Sequence, residues 1–214
     1  MSRTSLVLLR VLMSALVLFA AMQIGPDTAR ADERHGLAGF EGDWRQVDPA
    51  VNNASRHSAI DRAIGGLSWV VRKMAAPVLR RSTAPPTRMQ FIWDGERLVQ
   101  RIMEPEGRNA ARVVDPEAGP VAGTDKKGDP TTASWHLTDS VLQLDWTQAQ
   151  AHGHNIYRVD PETKILIIEH MIQVTAISNV EPIIFVSQFD RSDLPDLPSV
   201  FSAEIDSVES TMAQ

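Results

Sequence analysis

The stretch that decides the fold reads ILIIEHMIQVTAI from Ile165 to Ile177 and PIIFVSQFDR from Pro182 to Arg191. β-Branched residues dominate both runs, and an Asn precedes the Pro between them, so the pattern predicts two antiparallel strands joined by a turn. A period of two places His170 on one face of the first strand, together with apolar residues that include Ile168 and Ile172. Both faces are largely apolar, which indicates that part of this hairpin is covered on both sides. A strand pair of this length needs further strands for stability.

Further strands are predicted in the chain before that hairpin. Asp94-Gly95 lies between two alternating runs and is a strong hairpin signal. Alternating apolar and polar residues over 131–138 and 140–148 predict a second hairpin. With a first strand over 40–47, the count is eight or nine strands in meander order. The predicted fold class is therefore mainly β, an up-and-down antiparallel barrel, and the alternative is a single curved sheet with a helix across one face.

The pairing of strand 140–148 with the strand that follows it is predicted from the faces of the two strands. A four-residue loop over 149–152 would pair Trp146 with Asn155 and Leu144 with Tyr157. A loop of five residues would mix apolar and polar faces, which favours the four-residue loop.

One long helix is predicted after the first strand, over 58–79. Gly65-Gly66 weakens its middle, and Pro77 is expected to end or bend it. Two roles for this helix stay open, a lid or plug and a helix packed on the sheet. Apolar residues recur along one stripe of the helix at spacings of three and four: Ile60, Ile64, Leu67, Val71, Met74 and Val78.

The first 31 residues have the layout of a secretory signal peptide. Arg3 and Arg10 flank the start, an apolar run covers 11–22, and Ala29-Arg30-Ala31 supplies a small-x-small cleavage site. An uncleaved membrane anchor is the alternative, but the run is about 12 residues long and a span needs about 20. The sequence therefore predicts cleavage after Ala31 and a periplasmic or secreted protein.

The rest of the chain is divided into a barrel domain over 32–191 and an acidic, partly disordered tail over 192–214. The 214-residue chain has no cysteine, so disulfides and thiolate chemistry are excluded. A formal net charge of −6 argues against a nucleic-acid partner and against electrostatic docking on an anionic membrane. After cleavage, the chain is not expected to be an integral membrane protein.

Two short motifs resemble the calycin superfamily of lipocalin-like and fatty-acid-binding-like barrels. They are Gly42-Asp43-Trp44 on the first strand and Arg191 at the end of the last. In those families a G-x-W tryptophan packs against a basic residue from the far end of the chain and closes the barrel, and Arg over an indole face is physically favourable. The chain is most similar to lipocalin-like exported proteins of bacteria. The resemblance implies structural roles for Trp44 and Arg191, and an apolar cup for a small lipophilic ligand.

No common catalytic motif is present, so no catalytic residue and no metal site is assigned. His170 is the candidate interior polar contact, because a few polar groups in apolar walls are typical of small-molecule sites. A core histidine bonded to a neighbour is the alternative. Gln100 and Gln188 are further candidate ligand contacts. His152 and His154 flank a glycine, as a metal-binding pair or as solvated turn residues.

These observations predict an exported, soluble, non-enzymatic barrel that binds a small hydrophobic molecule inside and has no cofactor. An envelope protein-interaction or structural module without a ligand is the first alternative, and a filled interior with an apolar patch outside would favour it. A His-dependent enzyme or a haem binder is the second. The enzyme needs His170 or His154 within hydrogen-bond reach of a carboxylate or hydroxyl in a cleft. The sequence does not predict an oligomeric state.

Overall fold

A computed structural model describes residues 36–103, 109–124 and 129–192 of the protein. The chain divides into two units, Met1–Ala38 and Gly39–Gln214. The strands and helices named below all belong to the second unit. The predicted signal peptide lies outside the described residues, as does the predicted acidic tail beyond Ser192.

The described residues of the second unit form ten antiparallel strands and two helices. The helices, α1 (Pro49–Ala63) and α2 (Trp69–Ser82), lie in the chain between the first two strands. The strands are β1 (Gly42–Gln46), β2 (Arg88–Asp94), β3 (Arg97–Met103), β4 (Asn109–Val114), β5 (Val121–Thr124), β6 (Pro130–Thr138), β7 (Val141–Gln148), β8 (Ala151–Val159), β9 (Leu166–Val174) and β10 (Ile183–Arg191).

All ten strands form one sheet, in the order β4-β3-β2-β1-β10-β9-β8-β7-β6-β5. Consecutive strands therefore pair with each other, except β4 and β5, and β1 also pairs with β10. The mainly β, up-and-down fold class predicted from the sequence is confirmed. The sequence predicted eight or nine strands, and the additional one is β5, a four-residue strand in a segment rich in Pro and Gly.

The sheet curls so that its inner face meets itself. β2 and β8 are four strands apart, a distance of about 19 Å across a flat sheet. The rings of Phe91 on β2 and Tyr157 on β8 nevertheless lie with centroids 6.1 Å apart, edge to face. β4 and β5 are the two edges of this curled sheet, and the hydrogen-bonded ladder is open between them.

The predicted helix over 58–79 is wrong in its bounds, because the segment forms two helices. Asp48 starts α1 ten residues earlier, where its Oδ1 accepts from the backbone amides of the first turn and Pro49 occupies the start of the helix. Gly65-Gly66 lies in the break between α1 and α2. Pro77 does not end α2, which continues through it to Ser82. In the described part of the chain, no helix has both the length and the apolar character that a membrane span requires.

Helix α1 packs on the inner face of the sheet at one end of β10. Ile60 and Ala63 of α1 share a buried apolar cluster with Ile183 and Phe185 of β10. Leu79 of α2 joins the same cluster. Because α1 packs on the inner face, this contact fits both roles predicted for the helical segment, a lid or plug and a helix packed on the sheet.

Candidate functional site

Trp44 and Arg191, predicted to close the sheet, lie directly opposite each other in the β1–β10 pair. The Trp44 side chain is fully buried, and its Nε1 donates to the Phe40 carbonyl oxygen at 2.8 Å. The Arg191 guanidinium lies over the indole ring and donates to the Gly39 carbonyl oxygen at 3.3 Å. This contact joins the first strand to the last.

His170 lies on the inner face of β9, between Asn155 on β8 and Ser187 on β10. Its Nδ1 is 2.9 Å from the Asn155 Oδ1, and its Nε2 is 2.7 Å from the Ser187 Oγ. Because the Asn155 oxygen can only accept, Nδ1 carries the proton and Nε2 accepts from the Ser187 hydroxyl. The ring also stacks on Phe185, with centroids 4.5 Å apart and an interplanar angle of 18°. The position of the ring is therefore set from three sides.

Burial keeps the His170 ring neutral. Loss of hydration and, as the smaller cause, the positive charge of Arg56 together lower the pKa of His170 from 6.5 to about 3. Ser187, His170 and Asn155 are arranged like a nucleophile, its general base and the group that orients the base. A base with a pKa about three units below the usual histidine value is poorly matched to proton transfer near neutral pH, and Ser187 is fully buried. The arrangement therefore suits a fixed polar contact better than catalysis.

Asn155 is the member of this network that is only half-buried. Its Oδ1 is bound to His170, which leaves the amide Nδ2 on the inner face. Trp146 and Ile172 lie diagonal to it on the same face, on either side of Gly153, and both are also half-buried apolar side chains. Asn155 is therefore a partly accessible polar group of the inner face with apolar side chains nearby.

The two glutamines predicted as interior contacts lie on opposite faces. Gln100 is almost fully buried on the inner face of β3, and its Nε2 is 3.8 Å from the Met89 sulfur. Its Oε1 has no hydrogen-bond partner. Gln188 is exposed on the outer face of β10, between the buried Ser187 and Phe189. The assignment of Gln188 as an interior ligand contact is therefore corrected, because its side chain points away from the interior.

His152 and His154 lie within β8 and not in a turn, on the face of the sheet opposite to Asn155. His154 pairs across the sheet with Asp145 and Met171. In the part of the chain that the structure describes, no group of three or more His, Cys, Asp or Glu side chains is placed to hold a metal ion.

Three residues of the site were missed by the sequence analysis. Asn155 and Ser187 are polar residues on the inner faces of β8 and β10, and strand alternation alone could have placed Ser187 inside with Phe185. Arg56 carries no such signal, because a charged residue on a helix is usually exposed.

Comparisons with known proteins give similarities to solved structures only. No family model matches the chain, and no curated protein matches it. The chain is similar to a Schistosoma mansoni fatty acid binding protein in complex with arachidonic acid, at 13% identity and a TM-score of 0.43, over 74% of this chain and 99% of that one. It is similar to Echinococcus granulosus fatty-acid-binding protein 1, at 11% identity and a TM-score of 0.43, over 72% and 98%. It is also similar to a zebrafish ileal bile acid-binding protein complexed with cholic acid, at 8% identity and a TM-score of 0.41, over 72% of this chain and 99% of that one.

The fold itself follows from the arrangement of the described residues. Ten strands run as a meander, two helices lie between β1 and β2, and the last strand returns to pair with the first. Arg191 lies over Trp44 at that junction. The described residues therefore have a calycin-like fold, as the resemblance implied, and the similarity to lipocalin-like exported proteins of bacteria stays a prediction.

Proposed function

We propose that this protein binds a small lipophilic molecule on the inner face of its sheet, without catalysis. The observation that carries this proposal is the half-buried Asn155 amide on the inner face, next to Leu144 across the strand pair and diagonal to the half-buried apolar side chains of Trp146 and Ile172. Ligand sites are commonly apolar surfaces with a small number of fixed polar groups. His170 contributes as the residue that holds Asn155, not as the group that touches the ligand.

The fixed geometry of Asn155 supports this role. Its side chain is held by a histidine that is itself bonded to Ser187 and stacked on Phe185. A polar group that is already ordered loses little conformational entropy when a ligand binds. The open ladder between β4 and β5 gives a small molecule a route to the inner face.

A matched pair of substitutions on β8 tests the proposal. Asn155→Phe fills space on the inner face, whereas His154→Phe places the same ring on the outer face of the same strand. Each protein is titrated with the neutral dye N-phenyl-1-naphthylamine, whose fluorescence rises in apolar surroundings. The wild type and His154→Phe are expected to bind one dye with similar affinity, and Asn155→Phe at least tenfold more weakly.

The same proteins, purified from their own source, are then examined by native mass spectrometry. A co-purifying small molecule in the wild type and in His154→Phe, but not in Asn155→Phe, supports the proposal. Equal dye binding by both variants, or no saturable binding by the wild type, would place the site elsewhere. Ester hydrolysis that disappears in Ser187→Ala would show that the protein is an enzyme after all.

The proposal includes export and removal of the first 31 residues. Its support is the charged start, the apolar run over 11–22 and the small residues at Ala29 and Ala31. N-terminal sequencing of the protein from fractionated cells is expected to begin at Asp32. A matched variant, Ala31→Trp, should block this cut, and full-length wild-type protein in the cytoplasm would contradict export.

A second candidate function is binding of another protein through α2. The exposed side of this helix combines large apolar side chains with Arg72 and Lys73, and the Lys73 Nζ lies 5.1 Å from the ring centroid of Trp69. An apolar patch with a basic rim fits a protein surface that has an apolar strip edged by carboxylates. The exposed apolar side chains of the patch are Trp69, Val70, Met74 and Val78.

A photo-reactive side chain at position 74 tests this candidate in cells of the source organism. We expect one cross-linked protein, and a loss of at least tenfold in its yield with Lys73→Glu. The charge control is Lys164→Glu, in the turn between β8 and β9. The absence of a cross-link would overturn the proposal of a protein partner. So would sedimentation of the protein with phosphatidylglycerol vesicles when no cross-link forms.

A further inference from the structure

Arg56 of α1 is a buried arginine with only 4% of its surface exposed. One of its terminal nitrogens donates to the Arg80 carbonyl oxygen and lies 3.3 Å from the Thr83 Oγ1. The other donates to the Asn53 Oδ1 at 2.8 Å and lies 3.3 Å from the His57 Nε2. The Nε is buried and has no hydrogen-bond partner in the described part of the chain. These neutral contacts fix the guanidinium but do not neutralise its charge.

The charge of Arg56 has no counter-ion among the residues that the structure describes. The nearby Arg80 is paired with Asp61, whose two carboxylate oxygens lie 2.9 and 3.0 Å from the Arg80 nitrogen. Loss of hydration and the charge of Arg80 lower the pKa of Arg56. A buried ion without a partner is costly, so a fold that keeps one has a group ready to bind an anion.

A cavity of about 390 Å³ lies against Arg56, between the end of β1, the start of α1 and the segment that leads into β2. Gln46, which also lines it, is 9% exposed and has no hydrogen-bond partner for its Nε2. No carboxylate is among the described residues that line the cavity. Asp48, which precedes the lining residue Pro49 in the sequence, caps α1. The polar lining consists of Arg45, Gln46, Asn53, Arg56 and Thr87.

We propose that this cavity binds an oxyanion, a carboxylate or phosphate group, with Arg56 as its counter-ion and Gln46 Nε2 as a further donor. A guanidinium suits this role because its planar donors match the oxygens of both groups. Arg45, on the outer side of β1, adds a second positive charge at the rim. This cavity shares no lining residue with the apolar face around Asn155. The proposal therefore stands whether or not that face binds a ligand.

Calorimetry with three probes separates the sources of the oxyanion. Inorganic phosphate represents a free anion, decanoate represents the head of an amphiphile, and decanol is the uncharged match for decanoate. Arg56→Met is expected to weaken binding of the anion at least tenfold, and Gln46→Leu by about threefold to tenfold. Arg62→Met is the matched control, because Arg62 is an exposed arginine on the same helix. Gln46→Leu keeps the test valid if Arg56→Met does not fold.

Nuclear magnetic resonance of the His57 ring gives a readout that a purely structural role would not move. The pKa of His57 is lowered by desolvation and by the charges of Arg56 and Arg80. A bound anion is expected to raise the pKa of His57 in the wild type and in Arg62→Met, but not in Arg56→Met. Equal binding of decanol and decanoate with no phosphate binding, or full anion affinity in Arg56→Met, would overturn the proposal.

Discussion

The guanidinium carbon of Arg191 lies 4.8 Å from the ring centroid of Trp44. The two residues come from the last and the first strand and are direct partners in the β1–β10 pair. A cation over an indole face attracts the negative face of the ring, and the indole here is fully buried. The pairing of the two chain ends in the sheet is therefore supported by a side-chain contact as well as by backbone hydrogen bonds.

Arg191→Met is predicted to lower the free energy of unfolding by about 1 kcal/mol, because it keeps the aliphatic packing but removes the cation over Trp44. Urea unfolding monitored by Trp fluorescence measures the change. Arg45→Met, on the exposed face of β1, is the control and should change stability by less than about 0.5 kcal/mol. Equal losses in the two variants would show that the cation over Trp44 adds nothing specific.

Gly42→Ala is predicted to destabilise the same junction by roughly 1–3 kcal/mol. Gly42 has a φ of +132°, and an added Cβ would lie 3.2 Å from an Arg191 guanidinium nitrogen. Strain in the backbone and displacement of Arg191 therefore act together. Thermal unfolding is compared with Gly39→Ala, whose Cβ would meet nothing within 4 Å. A Gly42→Ala protein as stable as Gly39→Ala would refute this explanation.

Asp43→Asn is predicted to cost about 3 kcal/mol of unfolding free energy, because it removes the negative charge from a largely buried ion pair with Arg88. The Arg88 Nε lies 2.8 Å from each oxygen of Asp43, and the two side chains are only 12% and 6% exposed. Asp61→Asn breaks the exposed pair with Arg80 and should cost less than about 1 kcal/mol. Chemical denaturation of both variants gives the comparison, and similar costs would contradict the role of burial.

Strand faces could be predicted from the sequence because burial imposes a period of two. On β9, Leu166, Ile168 and His170 are all buried, as the alternation of apolar residues indicated. The same rule applied to β10 would have placed Gln188 outside, between the inward-facing Ser187 and Phe189. The sequence of β10 therefore carries the signal for the outward position of Gln188.

Strand register was harder to predict because alternation does not distinguish shifts of two residues. The predicted pairing of Trp146 with Asn155 is wrong, since Trp146 pairs with Gly153 and Asn155 with Leu144. The observed turn is two residues shorter than the predicted loop, which keeps every side chain on its predicted face. The site depends on this register, since it brings Asn155 and His170 together across β8 and β9.

The long-range partners of His170 and Arg56 could not be predicted from the sequence. Ser187 meets His170 only because β10 pairs with β9 in one register, and Arg56 meets Thr83 only because two helices pack together. The division of the helical segment was partly visible in Gly65-Gly66. Its earlier start was missed, although Asp48-Pro49 is a good helix start.

His170 is predicted to make stability depend on pH. The pKa of His170 is about 3 in the folded chain and about 6.5 in the unfolded chain, so the unfolded chain binds more protons between these values. The contribution of the neutral ring is therefore complete above pH 6.5. It is lost as pH falls toward 3, by up to about 1.4 kcal/mol per pH unit.

Urea unfolding of the wild type, His170→Gln and His152→Gln at several pH values between 7 and 4 tests this dependence. His170→Gln is expected to be less stable at pH 7, by about 1–3 kcal/mol, because its hydrogen bonds to Asn155 and Ser187 are poorer. It should also lose stability more slowly than the wild type as pH falls, because it has no buried ring to protonate. His152→Gln, at an exposed position of β8, should follow the wild type. Parallel curves for the wild type and His170→Gln would mean that His170 is not held neutral by burial.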